Sequence, residues 1–369
     1  MIERDELAAW LRLLETPGVG RESARRLLAS FGSPEAVLSA PSAQRREVTP
    51  GRAASALDAA PDGLAALVER TWAWLHTDDS APRRILCLGD PHYPPTLLES
   101  ADPPLLLYLR GRIDRLAQRG VAIVGSRNPT PQGLDNARAF ARSLSEHGWV
   151  VISGLALGID AAAHEGALQG PSGTIAVVGT GLDETYPRRN QKLAHRIAGD
   201  GLLMSEYALG TPALPANFPV RNRIIAGQAR GTLVVEAALQ SGSLITARMA
   251  VESGREVFAI PGSIHSPQSR GCHHLIKQGA KLVETVEDLL EELGIFLPPS
   301  GPKVDRAEPT EAAADPLLDA MGYDPIGLDA LTDRTGMAAP ELSAKLLQLE
   351  LDGRIARLPG QLFQRRGSA

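Results

Sequence analysis

Cysteine is nearly absent from this 369-residue sequence, which contains only Cys87 and Cys272. Two cysteines far apart in sequence argue against a disulfide framework and against a structural zinc site. No apolar run approaches the roughly 20 residues of a membrane-spanning helix. The stretch MIERDELAAWLRLLE at the N-terminus mixes charged and apolar residues and lacks the continuous apolar run of a signal peptide. We therefore expect a cytoplasmic protein with no metal, no cofactor and no membrane partner.

An excess of basic residues is also absent, because 38 Lys and Arg face 43 Asp and Glu for a net charge of −5. A chain with this balance does not bind nucleic acid through its overall charge, so any such site must be a local patch. Between residues 181 and 230 the balance reverses, with seven basic and four acidic residues. Aromatic residues make up only 4% of the chain, which leaves few side chains for stacking on bases.

The pattern of apolar residues predicts an α/β protein of three domains. We place an all-α domain at 1–80, an extended Rossmann-like domain with a parallel sheet at 81–295, and a winged-helix domain at 317–369. Residues 296–316 are rich in Pro, Ala and acidic residues, which predicts a flexible linker.

The all-α domain contains TPGVGRESARRLLASFG at 16–32, in which a glycine-rich turn joins two helices. This pattern is similar to helix–hairpin–helix and SAM-like domains, where backbone N–H groups of the hairpin contact a nucleic-acid phosphate. Glycine-rich turns are also common between helices that only pack against each other. For this segment taken alone, we favour a packing domain.

Seven strand-like runs alternate with amphipathic helices in the middle domain: VAIVG, WVVISG, TIAVVG, LLMSEY, TLVVEA, EVFAIPG and AKLVE. This alternation predicts a parallel sheet covered on both faces, which binds ligands outside the carboxyl ends of its strands. The stretch VAIVGSRNPTPQG at 121–133 begins as a phosphate-holding loop does. It nevertheless lacks the G-x-G-x-x-G of a dinucleotide site and the G-K-[ST] of an NTPase.

Small and basic residues follow the ends of these strands. Small residues let backbone N–H groups approach an anion, and a helix N-terminus adds partial positive charge. Arginine supplies a planar fork that matches phosphate. The candidate binding residues are Gly125, Ser126, Arg127, Ser153, Gly154, Arg188, Phe218, Arg221, Asn222, Arg223, Ser241, Gly242 and Ser243.

Three arginines favour a binding role over an ordinary surface role. Arg127 lies in a loop that begins with glycine, and Arg221 and Arg223 precede the apolar pair at 224–225, where solubility needs no charge. A solvated or structural role suits the other arginines considered, namely Arg189, Arg196 and Arg230.

Candidates for catalysis are few. Asp160 and His164 are four residues apart on a predicted helix and face the same side. A helix-start aspartate with a packed histidine bonded to it explains them better than an acid–base pair or half a metal site. The contiguous residues 272–274, Cys-His-His, point different ways on a helix and do not share a metal. Nucleophile elbows, Walker motifs and paired carboxylates are missing, so the loops are rich in residues that bind anions and poor in general acids and bases.

Eight segments, in order along the chain, are similar to one protein family: VAIVGSRNPTPQG, VISGLALGIDAAAHEGAL, TIAVVGTGLDETYPRRN, SEYALGTP, FPVRNRIIAG, VVEAALQSGSLITARMA, REVFAIPG and LIKQGA. Together they resemble the DNA-processing family DprA, also called Smf, of bacterial natural transformation. The resemblance covers the middle domain and extends to the three-domain layout.

The resemblance implies a protein that binds single-stranded DNA irrespective of sequence and loads the recombinase RecA onto it. The implied DNA includes strands coated by single-strand-binding protein, and the implied state is a homodimer without enzymatic activity. Backbone contacts of this kind need cations and amides but no base-edge code. The family's dimer contact corresponds to GCHHLIKQGA at 271–280.

Family positions also map onto the loops named above. Arg127 matches the pocket arginine of the family, Arg188 a position that is usually basic, and 221–223 its R-N-R. Phe218 is a candidate for base stacking, although a buried phenylalanine explains it equally well.

Two alternatives remain open at this point. The sheet domain resembles, more distantly, nucleotide-binding phosphoribohydrolases of nucleoside monophosphates, but their glutamate after P-G-G-x-G-T is missing from SGSLITARMA at 241–250. The segment 352–369 has four arginines and one acidic residue, so the winged helix is a candidate reader of duplex DNA.

Overall fold

The computed structural model describes residues 2–294 and 315–366, and within them nine strands form one sheet. Their spatial order is β1-β2-β6-β5-β4-β3-β7-β8-β9, and all neighbours from β6 to β9 are parallel. The predicted parallel sheet is confirmed, and β1 and β2 extend it with two antiparallel strands. The strands are β1 Arg83–Cys87, β2 Leu106–Gly111, β3 Gly120–Val124, β4 Val150–Ser153, β5 Thr174–Val177, β6 Leu202–Ser205, β7 Gly231–Val234, β8 Glu256–Ala259 and β9 Lys281–Leu282.

Helices cover both faces of the sheet. Successive residues of a buried strand point to opposite sides, so each face presents apolar side chains that the helices bury. In β3, Val121 and Ile123 join one apolar cluster, whereas Ala122 and Val124 join another. The helices of this domain are α7 Pro95–Leu98, α8 Pro131–Glu146, α9 Ile159–Ala167, α10 Gln191–Asp200, α11 Asn217–Gln228, α12 Ser243–Glu252, α13 Arg270–Lys277 and α14 Val286–Glu292.

The predicted all-α domain consists of six helices, which pack on the β1 end of the sheet. Its core is continuous with that end, where the ring of Trp74 meets the buried ring of Tyr108 edge-on at a centroid distance of 6.0 Å. The hairpin glycine Gly18 has φ +87°, a conformation that favours glycine. The helices are α1 Arg4–Glu15, α2 Arg21–Phe31, α3 Pro34–Ser39, α4 Ser42–Val48, α5 Gly51–Ala56 and α6 Leu64–Leu75.

The C-terminal domain is a winged helix, as its sequence predicts. Three helices enclose a small apolar core, and an antiparallel sheet in the order β10-β12-β11 forms the wing. Residues 296–314 of the predicted linker at 296–316 lie outside the described part of the chain. The last residue of the predicted linker, Pro316, is the first residue of a helix. The elements are α15 Pro316–Met321, β10 Ile326–Gly327, α16 Leu328–Thr335, α17 Ala339–Leu351, β11 Ile355–Leu358 and β12 Leu362–Arg365.

Candidate nucleic-acid interface

A cavity of about 620 Å³ opens at the carboxyl end of β3. Strand β4 lies on one side of β3 and β7 on the other. Along the chain β7 follows β6, which lies three strands away on the β4 side of β3. Such a reversal of strand order is where open α/β sheets bind ligands. The predicted site residues that line the cavity are Gly125, Ser126, Arg127, Phe218, Arg221, Asn222, Ser241, Gly242 and Ser243.

The loop after β3 is held close to β7 by its backbone. The N–H of Ser126 donates to the carbonyl of Glu236 at 2.7 Å, and the N–H of Asn128 donates to the hydroxyl of Ser126 at 3.1 Å. A Cβ on Gly125 would lie 2.7 Å from Cγ1 of Ile159 and 2.9 Å from the carbonyl oxygen of Glu236. Only glycine fits this approach, so the loop shape depends on Gly125.

Arg127 is the free cation of this loop. Its side chain is exposed, and within the described part of the chain its guanidinium makes no hydrogen bond or ion pair. It lies near enough to Arg221 to lower the pKa of that residue through charge repulsion. A cation without a protein partner at the mouth of a cavity is suited to an anionic ligand.

Helix α11 presents one of its faces to the cavity. Phe218, Arg221, Asn222 and Ile225 line the cavity and are spaced three and four residues apart, which places them on the same face. Arg223 is two residues beyond Arg221, about 200° around the helix, and therefore points elsewhere. Helix geometry corrects the grouping of Arg223 with the cavity residues.

Arg223 belongs instead to a domain-contact ion cluster of Arg21, Arg25, Asp102, Glu206 and Arg223. Its Nε lies 2.9 Å from Asp102, and its guanidinium also pairs with Glu206. From α2, Arg21 reaches Asp102 at 3.1 Å, and Arg25 pairs with the same carboxylate. Burial raises the pKa of Glu206 despite the nearby arginines. The basic side of the predicted helix–hairpin–helix thus faces the sheet domain, which agrees with a packing role.

We expect Arg223→Ala to lower the free energy of unfolding by about 1–3 kcal/mol, because Glu206 would be left buried without its closest donor. Urea unfolding followed by circular dichroism measures this change. Arg26→Ala on α2 is the matched control, since the Arg26–Glu22 pair is largely exposed and such pairs contribute little. Equal stability of the two variants would contradict the assigned role of the cluster.

Arg221 is buried, with only 4% of its surface exposed. Its guanidinium donates to the carbonyl of Gly154 at 2.7 Å and to that of Val177, so it joins the ends of β4 and β5. A Cβ on Gly154 would lie 2.5 Å from this guanidinium, which explains the glycine. Burial, with repulsion from Arg127, lowers the pKa of Arg221 to about 10. Arg221 therefore forms part of the cavity wall and fixes its shape.

Ser153 and Gly154 lie beneath the cavity and do not line it, because the chain is fully enclosed where β4 ends. The Ser153 hydroxyl donates to the carbonyl of Ile123 at 2.7 Å. The N–H of Gly154 donates to the carboxylate of Asp160 at 3.1 Å. These contacts assign both predicted residues to the support of the loop.

His164 departs from the expected bond to Asp160. Its Nε2 accepts from the N–H of Leu155 at 3.2 Å, and its Nδ1 lies 2.7 Å from the hydroxyl of Thr174. The ring is fully buried, and burial lowers the pKa of His164 to about 3. A neutral histidine thus holds Leu155, whose φ of +57° is unusual for a residue with a side chain.

Ser241, Gly242 and Ser243 form the start of α12 at the cavity wall. The hydroxyls of Ser241 and Ser243 lie 2.7 Å apart, and the N–H of Ser243 donates to the Ser241 hydroxyl at 3.3 Å. The first turn of a helix carries partial positive charge, so this wall is favourable for an anion.

Sequence reasoning missed Tyr186, which lies on the cavity rim with 48% of its surface exposed. Its ring centroid lies 5.3 Å from that of the half-buried Phe218, and the two rings are tilted. Phe218 was already a candidate from the sequence, whereas the only sequence signal for Tyr186 was its place in TIAVVGTGLDETYPRRN. Arg188, two residues later, is exposed on a short 3₁₀ helix and does not line the cavity.

Residues 2–294 and 315–366 contain neither a metal-binding cluster nor a helix suited to crossing a membrane. No group of three or more His, Cys, Asp or Glu side chains is arranged to hold a metal ion there. In that same part of the chain, no helix combines the length and the apolar character that crossing a membrane requires.

The chain matches three family models along its length. Residues 84–294 match DNA recombination-mediator protein A, residues 4–60 match the DprA-like N-terminal HHH domain, and residues 301–361 match the DprA winged helix domain. Protein Smf of Escherichia coli is 43% identical over 300 residues, which cover 79% of each chain.

Two solved structures are similar as well. The X-ray structure of DNA processing protein A from Streptococcus pneumoniae superposes with a TM-score of 0.67 at 37% identity, over 79% of this chain and 98% of that one. DNA processing protein A from Helicobacter pylori, described for its single-stranded DNA binding mode, superposes with a TM-score of 0.53 at 32% identity, over 57% and 95%. With the cavity, the sheet order and the two flanking domains, these matches show that the chain belongs to the DNA recombination-mediator protein A family, also called DprA or Smf, whose members process DNA in recombination.

Proposed function

We propose that the cavity at the carboxyl end of β3 binds the backbone of single-stranded DNA irrespective of its sequence. The observation that carries this proposal is the guanidinium of Arg127 at the cavity mouth, which makes no hydrogen bond or ion pair with residues 2–294 or 315–366. Cations and backbone amides recognise phosphate without reading base edges. The rings of Tyr186 and Phe218 offer a small apolar surface for one base, which agrees with the low aromatic content of the chain.

Fluorescence anisotropy of labelled oligonucleotides over a salt series tests the proposal. The logarithm of the binding constant is expected to fall linearly with the logarithm of salt concentration, by about 0.7 per phosphate contacted. Oligonucleotides of unrelated sequence are expected to bind with similar affinity, and a duplex of equal length more weakly. Binding that ignores salt, or that depends strongly on sequence, would argue against a backbone site.

We further propose that bound single strands are delivered to RecA. The support is membership of a family of recombination mediators. RecA filament formation on strands covered by single-strand-binding protein is expected to start sooner when this protein is present. A lag that this protein leaves unchanged would limit its role to binding the strand.

A homodimer is part of the same proposal. A groove of about 890 Å³ next to the cavity is lined by the exposed side chains of Leu239 and Val251, and by the predicted contact segment around His274. The groove shares Ser241 and Ile245 with the cavity, so a second copy seated there would bring two cavities together. Two cavities on one strand increase the apparent affinity through effective concentration.

We expect Val251→Glu to convert the dimer to a monomer, because a carboxylate in an apolar contact is desolvated without a partner. Light scattering coupled to size-exclusion chromatography measures the mass. Leu98→Glu is the matched control, since Leu98 is 51% exposed but lies outside the groove. A dimeric mass for Val251→Glu would mean that the copies meet elsewhere.

The carboxylates near the cavity favour a binding protein over an enzyme. Asp160 accepts backbone N–H groups, and Glu236 accepts from the N–H and hydroxyl of Thr130 at 2.9 and 2.6 Å. Burial raises the pKa of both acids, but their oxygens are already engaged in holding loops. Steady release of base from nucleoside monophosphates would overturn this reading.

The winged helix is a weaker candidate for duplex recognition. Its α17 carries Glu341 and Glu350 and exposes Leu347 and Leu351. A helix that enters the major groove uses donors and cations towards bases and phosphates, and this surface offers few of them.

A further inference from the structure

A second groove, of about 740 Å³, runs between α8 and the winged-helix domain. One wall is the outer face of α8 from Asp135 to Glu146, with side chains spaced three and four residues apart. The other wall comes from the wing and the start of its domain. The residues of this second wall are Leu318, Tyr323, Gly353, Arg354, Arg365 and Arg366.

The groove has a lining with net positive charge, although the chain as a whole is acidic. Five arginines and two carboxylates, Asp135 and Glu146, line the groove. Two further carboxylates pair with these arginines, Glu165 with Arg138 and Asp319 with Arg365, which leaves an excess of one positive charge. The five arginines are Arg138, Arg142, Arg354, Arg365 and Arg366.

Two of these arginines are available to a ligand. Arg354 is exposed, and its guanidinium makes no hydrogen bond or ion pair with residues 2–294 or 315–366. Arg142 pairs with Glu146 at 2.9 Å, but both side chains are about half exposed, so this pair is easily exchanged. The groove therefore holds cations that its own structure does not require.

The wing is held against α8 by specific contacts. Arg366 donates through Nε and Nη2 to the two carboxylate oxygens of Asp135, each at 2.9 Å. Arg365 donates to the carbonyl of Leu318 at 3.1 Å and lies 5.0 Å above the ring of Tyr323, which is 56% exposed. A cation thus covers one face of an exposed ring in the groove, and arginines and aromatic rings are the side chains with which proteins bind single-stranded nucleic acid.

The groove and the cavity lie along one path. Asn128 lines the cavity, α8 begins three residues later at Pro131, and Asp135 already lines the groove. With 16 residues, α8 is about 24 Å long, so the groove extends away from the cavity along this helix. A flexible strand that leaves the cavity at Asn128 meets the groove within two helical turns.

We propose that the groove between α8 and the winged-helix domain is a second binding segment for the phosphodiester backbone of single-stranded DNA, which continues the strand held in the cavity. The inference rests on the proposed function of the cavity for its choice of ligand. Arginine matches phosphate with two parallel donors, and the shared path favours nucleic acid over an acidic peptide.

Oligonucleotide length separates the two segments. The full-length protein and the double variant Arg142→Ala/Arg354→Ala are compared by anisotropy with a labelled oligonucleotide that fills only the cavity and with one several times longer. We expect equal affinity for the short strand and roughly tenfold weaker binding of the long strand by the variant. For the long strand, the slope of the logarithm of the binding constant against the logarithm of salt concentration is expected to become shallower by about 1.4. This is about 0.7 for each of two lost phosphate contacts. Arg52→Ala/Arg196→Ala is the matched control, because both residues are exposed and lie outside the groove and the cavity.

Each other outcome has a defined meaning. Wild-type affinity of the double variant for the long strand overturns the proposal, as does an equal loss for both lengths. Arginine-dependent binding that is tighter for a long duplex overturns the assignment to a single strand, and arginine-dependent binding of an acidic peptide in preference to the long strand overturns the assignment to nucleic acid. If Arg127→Ala binds the short strand as wild type does, the cavity proposal fails, while the long-strand comparison still decides the groove.

Discussion

Arg127→Ala is expected to weaken binding of a short single strand by about 10–100-fold, since a hydrogen bond to a charged group contributes about 1.5–3 kcal/mol. Arg127 has no protein partner to lose among the described residues, so its free cation acts on the ligand alone. Anisotropy at several salt concentrations is the measurement. The slope of the logarithm of the binding constant against the logarithm of salt concentration is expected to become shallower by about 0.7, because one phosphate contact is lost.

The matched control for this prediction is Arg196→Ala. Arg196 is exposed on α10 and does not line the cavity, yet its removal changes the net charge equally. If both variants bind alike, the loss reflects total charge and the cavity has no special role. We also expect Arg127→Ala to unfold with a denaturant midpoint close to that of wild type. Surface substitutions usually change the free energy of unfolding by less than about 0.5 kcal/mol.

Arg221→Ala is expected to lower the free energy of unfolding by about 3–5 kcal/mol, which is typical when one partner of a buried charged network is removed. The carbonyls of Gly154 and Val177 would lose their donor, and Asp160 would lose the nearby positive charge that opposes the rise of its pKa. Urea unfolding measures the change. DNA binding by this variant is expected to fall as the loops loosen, so it does not test direct contact.

Arg221→Lys keeps the charge and provides the second variant. Its single ammonium lacks the planar fork that spans two carbonyls, so we expect a stability between those of Arg221→Ala and wild type. Wild-type stability of Arg221→Ala would show that the guanidinium does not join β4 to β5. The two arginines thus differ in the quantity they control, with Arg127 governing affinity and Arg221 governing stability.

These contrasts could not be derived from sequence, because they depend on helix rotation and on burial. In the stretch FPVRNRIIAG, Arg221 and Arg223 look equivalent, but about 100° per residue sends them to opposite sides of α11. One enters the cavity wall, and the other joins the domain-contact ion cluster. Likewise, Ser153 and Gly154 follow a strand as Gly125 does, but they are covered by Arg221 and Asp160.

The sequence by itself determined the class of the fold, the three-domain layout and the edge of the sheet at which the cavity opens. It could do so because apolar periodicity and small residues after strands are local signals. Tertiary structure alone decided which arginine is free, that Tyr186 meets Phe218, and that the wing arginines face α8. The physical reason is that desolvation and pairing of a side chain depend on residues far away in the chain, such as Asp135 for Arg366.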